Sequence, residues 1–259
     1  MNVFKQLIVS LYSPKDIAAT RHQGIGKTIL FVFLLSLISI IPSAIYFSNM
    51  VTTGVQAAED MLASDMPDFE IKNGTLTVDS NEPYIQQKDD FTIFLDGTGE
   101  MTSTDVELRT QNGFALLKNE LVFVADGQSQ VSPYSVMEGL AVNKQDFEGL
   151  VDSVDASLVI AIPLIILMIY LFSSAVLFIK VTLFAVFGLL FKNSLQRSLG
   201  YRHLWRICAY SITLPTIFFT IMAAFQATVP FGSFISWFVT FLMMYMAIKE
   251  VPPEKEILS

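Results

Sequence analysis

Long runs without charged residues dominate the hydrophobic pattern of this 259-residue chain. They cover residues 28–58, 156–179, 181–191 and 207–248. A helix needs about twenty apolar residues to cross a hydrocarbon core of ~30 Å. The last run is long enough for two helices and is interrupted by Pro230 and Gly232, which favour the end of one helix and the start of another. The pattern therefore predicts four transmembrane helices, at residues 28–50, 157–179, 207–227 and 231–248.

The run at residues 181–191 is too short to cross a membrane, because eleven residues make only about 16 Å of helix. Two interpretations stay open for it. It either continues the second helix or lies along the membrane interface. Lys180 separates it from the second predicted helix, and at the end of a span a lysine side chain can reach the headgroups. Ser36, Ser39 and Ser43 share one face of the first helix, where small polar residues favour close helix packing.

Residues 51–156 have a different pattern. From Phe69 the apolar residues alternate with polar ones around Asn73-Gly74, which is a strong hairpin signal, and FTIFLDGTG and FALLKNELVFVA supply further strand-like runs. Asn143 with Asp146 predicts the start of a helix that runs into the second span. The fold class is therefore an α-helical polytopic membrane protein of four transmembrane helices, with an extracytoplasmic β-rich domain on helical stalks inserted between helices 1 and 2.

The distribution of charge predicts the orientation in the membrane. Residues 50–156 carry five basic and twenty acidic residues, whereas the rest of the chain carries eleven basic and four acidic ones. Because basic segments stay on the cytoplasmic side, three segments are expected there. They are the amphipathic N-terminal helices at residues 1–27, the basic segment at 180–206 and the tail at 249–259. The protein is thus expected to be multi-pass in a bacterial plasma membrane, with both termini cytoplasmic.

Few residues offer catalytic or metal chemistry. The stretch GIGKT resembles part of a phosphate-binding loop, but Arg21 occupies the position of the first glycine that such a loop requires. The single cysteine and two histidines leave little for a zinc site. We therefore expect a protein that is not an enzyme and has no catalytic residue, no cofactor and no nucleic-acid partner. We also expect no metal site, apart from the weak calcium alternative described next.

The stretch FTIFLDGTGE has two interpretations besides a strand followed by a glycine-rich turn. Asp96 imitates the aspartyl-phosphate residue of phosphatases and ion pumps, but those enzymes use a cytosolic α/β domain. In a calcium loop, Asp96, Glu100 and Glu107 would stand at the first, fifth and twelfth positions. Met101 would replace the required glycine. A strand and turn is the favoured interpretation, and weak calcium binding by the three acids is the alternative.

The basic segment suggests one site for lipids. Arg197, Arg202 and Arg206 lie within ten residues of one another, and each cation near a membrane surface adds ~1 kcal/mol to the attraction for anionic headgroups. The same arginines also set the topology, and that role needs no bound lipid.

Three stretches resemble a known family: SLYSPKDIAATRHQGIGKTILFVFLLSL, the acidic segment with FLDGTG, and SLGYRHLWRICAYSITLP. The chain resembles the domain-of-unknown-function 1189 family of Gram-positive bacterial membrane proteins, some of which are labelled maltodextrin utilisation proteins. The last stretch is also distantly similar to Yip-type multispanning proteins. The resemblance implies an accessory role beside a sugar transporter and carries no catalytic residues.

The expected function is that of a non-enzymatic accessory or regulatory membrane protein. Its outer domain would bind an envelope component, a sugar-related ligand or a partner protein and couple to a membrane complex. The alternative is a transporter-like component in which helices kinked by proline form a solute path. The expected partners are the lipid bilayer, another membrane protein or complex, and a second copy of the chain in a homo-oligomer.

Overall fold

The computed structural model describes residues 2–64, 66–137 and 141–253. The chain divides into two compact units, one formed by residues 1–45 with 165–259 and the other by residues 46–164. Residues 254–259 of the tail that the sequence places in the cytoplasm lie outside the described part.

Eight α-helices carry most of the described chain. They are α1 (Val3–Val9), α2 (Pro14–Ala19), α3 (Ile25–Ala63), α4 (Ser103–Arg109), α5 (Lys144–Ser194), α6 (Tyr201–Ser211), α7 (Thr213–Ala224) and α8 (Gly232–Lys249). Four helical segments are long and apolar enough to cross a membrane: α3, α5, the consecutive pair α6 and α7, and α8. The break between α7 and α8 falls where the sequence predicts it, and Phe231 there adopts a left-handed backbone conformation with φ of 56°.

The first unit has an apolar core with several buried polar side chains beside it, and many large apolar side chains on its surface. Its core joins Phe31 and Leu35 of α3 to Tyr210 of α6 and Met244 of α8. In helix α1 the polar Gln6 is buried while Phe4 is 63% exposed. The Gln6 side chain donates to that of Gln23 and lies 3.3 Å from the Tyr210 hydroxyl. Many exposed apolar side chains, together with buried polar groups that hydrogen-bond to one another, are compatible with a protein that lies in a membrane.

Helix α2 begins as its sequence predicts. Ser13 caps it by accepting a hydrogen bond from the Asp16 backbone N–H, and Pro14 occupies the first turn. The Ser13 hydroxyl also donates to the Asp16 carboxylate over 2.6 Å, so the two side chains hold the helix start reciprocally.

Two β-sheets form the second unit. One sheet has the strand order β2-β1-β8 and the other β3-β4-β5-β6-β7. The strands are β1 (Phe69–Lys72), β2 (Thr75–Val78), β3 (Tyr84–Lys88), β4 (Phe91–Asp96), β5 (Asn112–Leu117), β6 (Glu120–Ala125), β7 (Gln128–Pro133) and β8 (Val142–Asn143). The predicted hairpin is confirmed, since β1 pairs antiparallel with β2 around Asn73 and Gly74, both at positive φ.

At the centre of the larger sheet, two parallel strands are joined by a crossover connection that the sequence pattern does not reveal. Strands β4 and β5 are parallel and are joined through α4, whereas the other neighbours in this sheet are antiparallel. Every residue of β4 is buried, as is usual for a strand covered on both faces. Thr102 and Asp105 begin α4 with a reciprocal capping box.

Helix α5 decides between the two interpretations of residues 181–191. It continues unbroken from Lys144 to Ser194 and so includes residues 181–191, which settles that this run extends the helix. The predicted helical stalk before the second span also belongs to α5. Lys180, which the sequence analysis placed at the end of a helix, therefore lies fourteen residues before the end of α5.

Gly113 provides a test of the larger sheet. A Cβ at this position would lie 2.1 Å from the carbonyl oxygen of Thr92 on the neighbouring strand. Overpacking of this kind typically costs about 1–3 kcal/mol. We therefore expect Gly113→Ala to make residues 91–125 markedly more sensitive to limited proteolysis in the detergent-purified full chain.

Gly149→Ala on α5 is the matched control, because a Cβ there meets no atom within 4 Å. Alanine is preferred over glycine in a helix by about 1 kcal/mol, so this variant should be no more sensitive than the natural protein. Equal sensitivity of the two variants would contradict the parallel pairing of β4 and β5.

Candidate functional site

The first unit contains a cavity of about 660 Å³ among helices α3, α5, α7 and α8. Ligand cavities for small molecules range from ~300 to ~1,000 Å³, so its size fits a small ligand or a lipid headgroup. Hydroxyl groups and apolar side chains share the lining. The polar lining residues are Ser39, Lys180, Thr216, Thr220, Ser233 and Ser236.

Lys180 is the only charged residue among the described residues that line this cavity. Its Nζ donates a hydrogen bond to the Ser236 hydroxyl over 2.8 Å, and this bond links α5 to α8. Ser236 itself is only 8% exposed. The next turn of α8 is tied to the same residue, because the Thr240 hydroxyl donates to the Ser236 carbonyl over 2.7 Å.

Two further polar contacts join α3 to α5 beside the cavity. The Ser174 hydroxyl donates to that of Ser36 over 3.0 Å, and both residues are buried. The Tyr170 hydroxyl donates to the Phe33 carbonyl over 3.3 Å. The serine face of the first predicted helix thus serves partly as a helix contact through Ser36, as expected, and partly as cavity lining through Ser39.

The hydroxyls on the two sides of the cavity offer different chemistry. On α7, Thr216 and Thr220 donate to the carbonyls of Ile212 and Thr216 within their own helix, and so offer lone pairs to a ligand. On α8, Ser236 accepts from Lys180 and keeps its own proton for donation. Hydrogen-bond donors therefore gather at the α5–α8 side of the cavity, and acceptors gather at α7.

The three arginines of the predicted headgroup site have separate surroundings. Arg197 Nη2 donates to the Lys249 carbonyl over 3.0 Å, at the end of α8, where a cation is favourable. Arg206 Nη1 donates to the Arg21 carbonyl over 2.7 Å, while Arg202 is exposed. Two of the three thus bind backbone carbonyls of other segments, and headgroup binding stays a prediction.

Asp96 is a fully buried carboxylate at the end of β4. One oxygen accepts from the Thr98 hydroxyl over 2.6 Å and from the N–H groups of Thr98 and Gly99. The other accepts from the Met101 N–H over 2.7 Å. Burial disfavours the charged form, but these hydrogen bonds outweigh it and hold the pKa of Asp96 below its ordinary value.

The other two acids of the predicted calcium site are exposed and do not share the bonds of Asp96. Glu107 accepts a hydrogen bond from the Ser129 hydroxyl over 2.7 Å, and the Glu100 backbone N–H donates to the Thr98 hydroxyl. Across the part of the chain that the structure describes, no three His, Cys, Asp or Glu side chains are grouped to hold a metal ion. The structure therefore gives Asp96 the role of shaping a turn.

Sequence reasoning missed the cavity, although two signals point to it. Lys180 stands alone between two long apolar runs, and Thr216 with Thr220 places two hydroxyls one turn apart on a helix.

Comparison with protein families gives a match over almost the whole chain. The family model described as "Protein of unknown function (DUF1189)" matches residues 4–248. The chain belongs to this family. No curated protein and no solved structure matches the chain. For this DUF1189 protein the site therefore has to be interpreted from its own geometry.

Asp96 provides a test of the turn in this DUF1189 protein. Asparagine cannot offer two charged acceptor oxygens, and the loss of charge-assisted hydrogen bonds of this kind costs about 1–3 kcal/mol. We expect Asp96→Asn to speed backbone hydrogen exchange in residues 91–105, measured by mass spectrometry. The exposed Glu100→Gln serves as the control and should leave exchange unchanged.

The pH dependence follows from the lowered pKa of Asp96. Its stabilising contribution is fully present above its ordinary pKa of about 3.8 and is lost as the pH falls through the lower value in the folded protein. Acid slows the exchange chemistry itself, so rates are compared with those of an unstructured peptide at the same pH. The loss of protection on acidification should be smaller in Asp96→Asn than in the natural protein. If added calcium slowed exchange in the natural protein but not in Asp96→Asn, a metal role would replace the structural one.

Proposed function

We propose that this protein is a non-enzymatic integral membrane protein that acts as an accessory or regulatory component of a membrane complex. The observation that carries the proposal is the bare surface of α5. In its most apolar 18-residue window only 6% is buried, against 39% for α3 and 44% for the pair α6 and α7. Such an apolar surface is stable in contact with lipid, and on one face we propose that it contacts a partner helix.

One face of α5 within the first unit has the periodicity of a helix contact. Met168, Phe172, Val176 and Ile179 recur at three or four residues and are all exposed, with Phe172 73% exposed. Van der Waals packing of side chains drives association between helices in lipid. An exposed stripe of large, shape-specific side chains supports a contact with another membrane protein or with a second copy of this chain.

The environment of Asp96 supports a non-enzymatic role. A phosphate-accepting aspartate needs a free oxygen to attack, whereas both oxygens of Asp96 accept hydrogen bonds and the residue is buried. The likeness of FLDGTG to a phosphatase motif therefore has a structural explanation.

The proposal also includes the orientation of the chain in the membrane and the ligand of the β-sheet unit. The acidic residues 50–156 would face outward, and the N-terminal segment, the basic residues from Lys192 to Arg206 and the tail would lie in the cytoplasm of a bacterial cell. Because α5 continues through Lys180, this proposal starts the cytoplasmic segment at Lys192 and leaves residues 180–191 within the membrane. The β-sheet unit would bind an envelope component, a sugar-related ligand or a partner protein. A link to maltodextrin uptake rests on the labels of some proteins in the resembling family.

Photo-crosslinking tests the proposed partner face. A photoreactive amino acid at Phe172 should give a discrete protein adduct of reproducible mass in intact cells, because a partner helix would cover this position. The matched control is Phe218 of α7, which is also exposed, at 41%, but lies on another helix. We expect lipid adducts alone at Phe218, and lipid adducts alone at Phe172 as well would contradict the proposal.

The cavity favours a second candidate, a transporter-like component. A cavity with one cation among four apolar helices is a reasonable place for a solute, and charged residues inside membranes commonly mark substrate paths. In liposomes, an accessory protein should give no uptake of radiolabelled maltotriose above that of empty liposomes. Uptake that Lys180→Met abolishes would instead support the transporter-like role.

A further inference from the structure

Lys180 lies deep within the membrane if α5 spans it as proposed above. Lys192, the next cation on α5, lies twelve positions further along, which corresponds to about 18 Å of helix. A hydrocarbon core is ~30 Å thick, so with Lys192 at the inner boundary Lys180 lies close to the middle. At that depth the lysine side chain does not reach a headgroup layer by itself, so an anionic group would have to enter the cavity to meet it.

The charge of Lys180 lacks a counter-charge in the part of the chain that the structure describes. The ion pairs there involve Lys72, Lys88 and Lys144, all in the second unit. An ammonium group has three hydrogen-bond donors, and Ser236 accepts one of them. A neutral hydroxyl does not compensate a positive charge, and an uncompensated charge in a medium of low dielectric constant is costly.

The residues that line the cavity indicate the chemistry of a ligand that would supply the missing negative charge. Lys180 and Ser236 present donors that suit an anionic group, while Thr216 and Thr220 across the cavity present acceptors that suit hydroxyl groups of the ligand. The apolar lining residues would contact the remaining carbon atoms. They are Phe219, Met222, Ala223, Ala227, Val229 and Trp237.

We propose that this cavity binds an anionic group that carries hydroxyl groups, with Lys180 as the counter-ion and Ser236 as the residue that positions it. The shared chemistry is that of a polyol phosphate. It occurs as the headgroup of phosphatidylglycerol and as soluble glycerol 3-phosphate. The site goes beyond the proposed accessory role and depends only on the membrane location.

Cys208 gives a direct measure of ligand binding. It is the only cysteine of the chain and is fully buried, so a dye that fluoresces on reaction with thiols reports unfolding. A ligand that binds only the folded protein raises the melting temperature. In a neutral detergent we expect phosphatidylglycerol to raise the melting temperature of the full chain by several degrees more than phosphatidylcholine does.

Variants at the cavity should remove this difference. Lys180→Met should abolish the selective rise, Lys180→Arg should retain part of it, and Ser236→Ala should weaken binding several-fold. Lys192→Met is the matched control, because it removes a cation from the same helix outside the cavity lining. The double variant Arg197→Gln with Arg202→Gln removes the predicted headgroup arginines. Both controls should keep the selective rise.

The outcomes separate the two sources and the alternatives. A Lys180-dependent rise with phosphatidylglycerol alone identifies a lipid, and one with glycerol 3-phosphate identifies a soluble ligand. The proposal is overturned if phosphatidylglycerol stabilises Lys180→Met as much as the natural protein, or if it acts no better than phosphatidylcholine. If Lys180→Met does not fold, the other two variants decide. The proposal is then overturned if phosphatidylglycerol raises the melting temperatures of Ser236→Ala and Lys180→Arg as much as that of the natural protein. None of these results depends on a partner at Phe172.

Discussion

Charged side chains are almost absent from the middle of the four long apolar helices, and the structure of the first unit follows from this constraint. Where water is scarce, each polar group needs a partner within the protein. Ser174 therefore pairs with Ser36, Tyr170 with a backbone carbonyl, and Gln6 with Gln23. These hydrogen bonds lie beside an apolar core, and many further large apolar side chains are exposed on the surface.

The second unit also has an apolar core, but its surface is rich in acidic residues. The core includes four residues of β4, and most of the acidic side chains are exposed. Asp96 is the exception, and four hydrogen bonds account for its burial. The two units therefore differ mainly at their surfaces. Both gather apolar side chains into a core, but the first also exposes many large apolar side chains, whereas the second exposes most of its acidic ones.

Structures that depend on a few adjacent residues could be predicted from the sequence, whereas contacts between distant segments could not. Asn73-Gly74, Ser13-Pro14 and the break near Pro230 depend on a few adjacent residues, and each has the predicted structure. The parallel pairing of β4 with β5 depends on a crossover through α4, for which alternation gives no signal. The sequence left open whether residues 181–191 continue the second helix, because Lys180 stands before them. Lysine is a good helix former, and α5 continues through it.

The candidate site escaped prediction for a related reason, since a hydroxyl gives the same sequence signal whether it bonds its own helix or faces a cavity. Lys180 carries more information. If α5 and α8 only needed a polar link, a neutral side chain would supply it, as Ser174 and Ser36 do between α3 and α5. A lysine can carry a charge, which the bond to Ser236 would leave uncompensated and which an anion in the cavity would stabilise. This argument favours a binding role over a purely structural one.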